Sequence, residues 1–395
     1  MPVNQLSIIE PLCGGHHGTY LSWLVQGALE SGFNPEIVTT QKCIDSEDFR
    51  LNIDSFINCR TVGALDLSPD KIPKLIGQFV VRQRAARWLA RAIDSIGQDS
   101  EVLLPYLDMF TYQIATNYRL LSSHAWSGIS MSAKFHHSEC LLNKNPSQRD
   151  KLEKYLFVRL LLHPKLRSVF CLDPLLPDYL SRSHPNVVTK LIYLPDPANT
   201  HQIHSKIVAR QKLGIPADRF MILCYGNLDP RKGLRELAEA TMQPLFPANT
   251  IVVLAGVVTK ATRDLMGSGM FAASLHSKKI IVDDRFMTHD EESVLFSAAD
   301  LTWLGYTNFY QMSGVFARSL AYEVPVLGTT AGLIGWHIKH TGAGFTLSNI
   351  SPIEIAETIS RLSQDSTLME TARFKTLTAK QLFSTANAKD IVFKQ

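Results

Sequence analysis

Four places in the sequence gather residue types that handle anions or sugars. The segment Gly226-Asn227-Leu228-Asp229-Pro230-Arg231-Lys232-Gly233 follows the apolar run Phe220–Tyr225 and opens a helical pattern. Gly226 permits a tight turn and the close approach of a ligand. The N–H groups of a helix start, with Lys232 beside them, make a diphosphate site. An ordinary strand–turn–helix corner with a solvated Arg231–Lys232 pair explains the same spacing equally well. Ser313-Gly314 opens a second helical pattern, with Ser313 as a good N-cap and an unobstructed glycine backbone behind it. A plain capped helix is the alternative there. Two such helix starts in one half of the chain, with a lysine to hand, favour a diphosphate over coincidence.

The other two places are histidine pairs. His136-His137 close the run Gly128–Phe135, and His16-His17 follow Gly14-Gly15. Imidazoles there could hydrogen-bond a sugar hydroxyl or position an acceptor; a loop or packed core histidine is the simpler account. No metal is expected. Neighbouring histidines at a strand end point opposite ways, and no cysteine or carboxylate in the sequence pattern completes a ligand set. Asp283-Asp284 reads as a cap or turn rather than a metal-binding pair.

The elements that must position these residues alternate. Leu6–Leu12 is a strand, the glycine loop follows, Gly18–Ser31 is a helix with Leu21, Leu24, Val25, Ala28 and Leu29 on one face, and Glu36–Thr40 is the next strand. That unit opens a parallel, doubly wound sheet, whose ligands bind at the carboxyl ends of the strands. Further strands are expected at Glu101–Tyr106, leading to Asp108, and at Gly128–Phe135, Ser168–Leu172 and Thr189–Leu194. The proline-rich stretch Leu194–Ala198 reads as a linker. After it the alternation restarts, with strands at Phe220–Tyr225, Thr250–Ala255, Lys279–Asp283, Leu301–Leu304 and Val324–Leu327, and helices at 233–241, 291–299, 313–322 and 352–364. The expected fold is α/β: two doubly wound Rossmann-like domains facing a cleft. The first spans 1–196 and the second 197–378, while 379–395 packs back toward the first.

Bulk properties narrow the class. A chain of 395 residues exceeds one ordinary core. At 45% hydrophobic and 19% charged it is globular rather than disordered, and a net charge of +4 does not argue for nucleic acid. The six cysteines are scattered without a C-x-x-C pair, as in buried thiols of a reducing compartment. The first residues lack a signal-peptide pattern and no long window is uniformly apolar, so a cytoplasmic protein is expected. Helix 71–96 is amphipathic, with Lys71, Lys74, Arg82, Arg84, Arg87 and Arg91 on its polar face. Such a face suits solvent, or peripheral contact with anionic lipid.

The order of elements from 220 to 347 resembles the donor-binding domain of the family 4 glycosyltransferases, retaining enzymes of the GT-B kind. Their Gly-Arg-Leu-x-x-x-Lys-Gly segment is matched by Gly226-Asn227-Leu228-x-x-x-Lys232-Gly233. Their Ala-x-Gly-x-Pro-Val turn is matched by Ala321-Tyr322-Glu323-Val324-Pro325-Val326, and their glycine loops by Gly14-Gly15, Gly332–Gly335 and Gly342–Phe345. The chain is a divergent member by this pattern. The family's two helix glutamates fall on Tyr310 and Arg318, and its arginine falls on Asn227.

The resemblance implies transfer of a hexose from a UDP- or GDP-sugar, with retention, to a glycan, glycolipid or other acceptor. No cofactor and no metal are needed, and the nucleotide sugar is a co-substrate. It implies donor contacts at Gly15, Gly226, Asn227, Arg231, Lys232, Tyr310, Ser313 and Gly314. Arg231, Lys232 and the Ser313-Gly314 helix start would hold the leaving-group charge. His136 and His137 would be catalytic, and His16, His17 and Asp108 would touch the acceptor or the sugar. Tyr310 and Arg318 leave open a non-catalytic sugar-nucleotide- or glycan-binding protein on the same scaffold, and a sugar-nucleotide epimerase shares the architecture.

Overall fold

The structure, a computed structural model, describes residues 4–14, 17–67, 74–142, 144–267 and 269–394, with the side chains of 74–79 excepted. The chain divides into two compact units, Met1–Pro195 with Ala388–Gln395, and Asp196–Asn387. Residues 379–387 thus lie in the second unit and 388–395 in the first.

In the first unit, strands β1 (Asn4–Ile9), β2 (Phe33–Thr39), β3 (Asn58–Thr61), β4 (Glu101–Leu104), β5 (Trp126–Ser130), β6 (Leu166–Cys171) and β7 (Leu191–Tyr193) form one sheet in the order β3-β2-β1-β4-β5-β6-β7. In the second, β8 (Phe220–Tyr225), β9 (Thr250–Ala255), β10 (Ile280–Asp283), β11 (Leu301–Leu304), β12 (Val326–Thr329) and β13 (Gly344–Leu347) follow the order β10-β9-β8-β11-β12-β13. The pairings between these strands are parallel. Strand order reverses between β1 and β4 and between β8 and β11, so each sheet has a switch point where a crevice opens past the strand ends.

Each sheet is covered on both faces, which is why its strands read as continuous apolar runs. In β8, Met221, Leu223 and Tyr225 join one core cluster, while Ile222 and Cys224 join another. In β9, Ile251, Val253 and Ala255 follow the first, and Val252 and Leu254 the second. Each such buried aliphatic side chain contributes about 1.5–3 kcal/mol.

Several strand bounds differ from the sequence expectation for local reasons. β1 ends before Pro11, and the next N–H, of Leu12, turns to the Glu10 carboxylate at 2.9 Å. β5 stops at Ser130 because the Asp108 carboxylate takes the N–H groups of Met131 (2.6 Å) and Ser132 (3.2 Å) out of the ladder. The stretch 342–345, expected as a loop, supplies β13 after Gly342 caps the preceding helix with φ 66°. β3 was not expected: it is a largely exposed edge strand, Asn-Cys-Arg-Thr, without apolar alternation. The unassigned helix Gln148–Leu161 did carry a signal, the capping box of Ser147 with Asp150.

The basic helix runs Lys74–Asp94, and residues 71–73, including Lys71, lie outside the described residues. Trp88, Leu89, Ala92 and Ile93 bury its apolar side. On the polar side Arg84 pairs with Asp66 at 2.6 Å, and Arg82 lies over the Tyr112 ring at 4.5 Å. Among the described residues no helix is long and apolar enough to cross a membrane.

Candidate functional site

In the second unit the chain leaves β8 at Gly226, whose φ of 93° favours glycine. A β-carbon there would stand 3.5 Å from Lys232 Nζ and 3.9 Å from Val315 Cγ2. Lys232 ends a short 3-10 turn, Pro230–Lys232, set by Asp229, which accepts from the N–H of Arg231 at 3.0 Å. The lysine side chain turns inward and is only 4% exposed. Its ammonium donates to the Tyr225 carbonyl and lies 5.2 Å from the centre of the Tyr306 ring. Burial works against its charge, but Tyr306, Cys224 and Asp229 outweigh it, and its pKa lies above the ordinary lysine value.

The helix directly after this segment, Leu234–Thr241, is not the one that faces the lysine. Gly233 (φ 63°) intervenes, and a β-carbon on it would meet the Gly305 carbonyl oxygen at 2.2 Å, so backbone already occupies that start. The helix beside Gly226 is Gly314–Ala321, through Val315. Ser313 precedes it without a side-chain capping bond, and its hydroxyl lies 3.3 Å from that of Tyr306. The Phe316 N–H bonds the Ser313 carbonyl at 2.8 Å, while those of Gly314 and Val315 receive no cap from the Ser313 side chain and have no acceptor within the helix. Gly226, Lys232, Tyr306, Ser313 and Gly314 converge at the switch point between β8 and β11, a floor that carries one buried ammonium and could receive an anion, with the Asp196 carboxylate 3.4 Å from the point where a β-carbon on Gly314 would sit.

The other residues of the second unit that the sequence singled out are placed as follows. Arg231 is half-exposed, pairs with Asp229 at 3.1 Å and lies over the Phe309 ring at 4.9 Å. Asn227 is exposed. Tyr310 gives its carbonyl to the N–H of Leu333 at 3.0 Å, and a β-carbon on Gly332 would stand 2.7 Å from its Cα. Arg318 pairs through Nε with the buried Glu292 at 3.3 Å, beside the Tyr225 ring. Glu292 carries no motif, and its place on the next helix face, Glu291-Glu292, was the available signal.

In the first unit the candidates fall into two groups, and Gly15 and His16 lie outside the described residues. At the β1 end, His17 Nδ1 lies 3.2 Å from buried Glu10, and its ring meets Tyr106 edge-on at 5.4 Å. Asp108 accepts from Ser130 Oγ at 2.9 Å as well as from the two backbone N–H groups that end β5. Burial pushes its carboxyl above the usual range despite those bonds. It organises the loop 130–132.

His136 and His137 do not end a strand. They start the short helix His137–Cys140, and their rings do not diverge. Both Nε2 atoms meet Asp173 Oδ2, at 2.8 and 2.7 Å. This corrects the expectation that the pair faces opposite ways and lacks a carboxylate: residues 131–135 leave the sheet, so strand alternation no longer applies. Burial pushes the Asp173 carboxyl up, but the two imidazoles hold it well below the usual carboxylate range. His136 is fully buried, while His137 and Asp173 are each 7% exposed. Asp173 directly follows the apolar run that becomes β6, the position at which a parallel sheet displays polar groups.

This architecture has known counterparts. No family model matches the sequence, and no curated protein matches it. Sucrose-phosphate synthase from Thermosynechococcus elongatus superimposes with a TM-score of 0.71 at 17% identity, covering 98% of this chain and 96% of that one. HepE from Anabaena, solved in complex with UDP, gives a TM-score of 0.71 at 14% identity over 99% and 98% of the two chains. WaaG, a glycosyltransferase involved in lipopolysaccharide biosynthesis, gives 0.65 at 14% identity over 99% and 100%. The chain has the GT-B fold. Each GT-B unit is Rossmann-like, and the floor described above lies at the switch point of the second.

Proposed function

We propose that the protein is a glycosyltransferase that moves a hexose from a UDP- or GDP-sugar to a glycan, glycolipid or other acceptor, with retention. The observation that carries this reading is the Lys232 ammonium, buried beside Gly226 and the start of helix Gly314–Ala321, which the Ser313 side chain does not cap. In glycosyl transfer the bond between the sugar C1 and the diphosphate oxygen breaks, and charge grows on the leaving group. A fixed cation and helix N–H groups in a water-poor site stabilise that charge. Lys232, Arg231 and the Gly314 backbone take that role here, with no metal assigned to it. The acceptor oxygen then bonds C1 on the same face, and its proton passes to the departing phosphate.

The GT-B fold supports this reading, as does HepE, which is solved with UDP and with UDP-glucose. Acceptor recognition falls to the strand ends of the first unit, at His17 and His137. A cytoplasmic enzyme with Arg87 and its neighbours on helix Lys74–Asp94 turned to anionic lipid fits an acceptor made at a membrane. The Arg318–Glu292 pair favours a second reading, a sugar-nucleotide-binding protein without turnover, because it puts a cation where the related enzymes have a glutamate.

The test is release of UDP or GDP from labelled donors, with Lys232→Met as the control. Turnover that falls at least tenfold in the variant supports transfer. Saturable binding of UDP or GDP without turnover of any donor supports the second reading.

A further inference from the structure

Two imidazoles and a carboxylate meet between the ends of β5 and β6. The ligating atoms of His136, His137 and Asp173 all lie within 4.8 Å of one another, and the three residues are buried. Among the described residues Asp173 pairs with these histidines and with no lysine or arginine. Its other oxygen, Oδ1, accepts from the N–H of Leu175 at 2.9 Å, which fixes the carboxylate and leaves Oδ2 as the atom aimed at the two rings. A buried carboxylate needs compensating charge, and a bound cation held by it and the two imidazoles is one way to supply it.

We propose that His136 Nε2, His137 Nε2 and Asp173 Oδ2 form a binding site for a divalent cation of the zinc class, with a fourth position for water. Two imidazole nitrogens and one carboxylate oxygen suit zinc, and three protein ligands with one open position are a common zinc arrangement. Bonds of about 2.0–2.2 Å in tetrahedral geometry place ligand atoms roughly 3.3 Å apart. The two contacts at 2.8 and 2.7 Å therefore need to open by roughly half an ångström each. On binding, each Nε2 gives its lone pair to the cation, any proton it carries passes to Nδ1 or to solvent, and the cation replaces both contacts to Oδ2.

A proton on His136 Nδ1 meets no acceptor, since among the described residues that atom is buried without a hydrogen-bond partner. A missing outer partner weakens a metal site by roughly 10–100-fold. The site is thus weaker than one whose histidines are both buttressed. The cation ties the loop after β5 to the loop after β6.

The test uses the full chain, stripped with a chelator and titrated with Zn²⁺ against a chromogenic chelator, and with Co²⁺ by visible absorption, in the absence of any sugar nucleotide. The expected result is one Zn²⁺ per chain and a rise in Tm with zinc. Asp173→Asn and His137→Gln each weaken binding at least tenfold, and His276→Gln, on an exposed helix face, does not. No stoichiometric binding, or equal binding by the wild type and both site variants, overturns the proposal. Should Asp173→Asn fail to fold, His137→Gln and the imidazole signature in the Co²⁺ spectrum of the wild type decide it.

Discussion

The ammonium of Lys232 stands 3.5 Å from the point where a β-carbon on Gly226 would sit. The two residues line one side of the proposed donor site, and they separate changes that would damage that site from changes that damage the fold. Gly226→Ala forces a side chain into φ 93° and fills the space before the ammonium, but it meets no backbone. We expect about 1–2 kcal/mol of lost stability and at least a tenfold loss of UDP or GDP affinity. Denaturant unfolding and nucleotide titration measure the two effects separately.

Gly233→Ala should behave in the opposite way. Its β-carbon would meet the Gly305 carbonyl oxygen at 2.2 Å, and φ is 63°. The backbone cannot yield cheaply, so a loss of more than about 3 kcal/mol is expected, combining strain with a clash in a packed region. A variant as stable as the wild type by thermal melting would contradict this packing.

Arg318 and Glu292 should couple. Their contact is 3.3 Å, and Glu292 is 6% exposed, so removing the arginine strands a buried carboxylate. Arg318→Ala is expected to destabilise by about 2–4 kcal/mol, and the Arg318→Ala/Glu292→Gln double variant by less than the sum. Additive losses in a double-mutant cycle would show that the two do not act as a pair.

Asp108 supplies a pH dependence. Its folded pKa is raised by burial, so its share of stability is fully present below the unfolded value and is lost as pH rises through the folded one. Asp108→Asn should remove that slope when unfolding midpoints are compared across mildly acidic pH. Asp108→Ala should cost about 2–4 kcal/mol near neutrality, because it leaves the N–H groups of Met131 and Ser132 and the Ser130 hydroxyl without their acceptor.

Much of the scaffold was legible because its signals are local. The runs at β8, β9 and β11 and the helix Pro352–Gln364 appear in the sequence at the bounds the structure shows. Strand ends were less legible where a distant side chain intervenes. Asp108 cuts β5 short from 23 residues away, and no window around Ser130 contains it.

The sequence by itself determined two alternating α/β halves, the glycine turn at 226 and the helix start at Ser313-Gly314, since periodicity and turn chemistry act over a few residues. Only the tertiary structure decided which helix start faces Lys232, that Arg318 meets Glu292, and that His136 and His137 share Asp173. Parallel strands need long crossovers, and these carry residues 36 and 37 positions apart, or 26, to a single point. A local pattern does not encode which distant side chain will arrive there. The glycine turn at 226 was therefore visible in outline, and the residues around it were set by the fold.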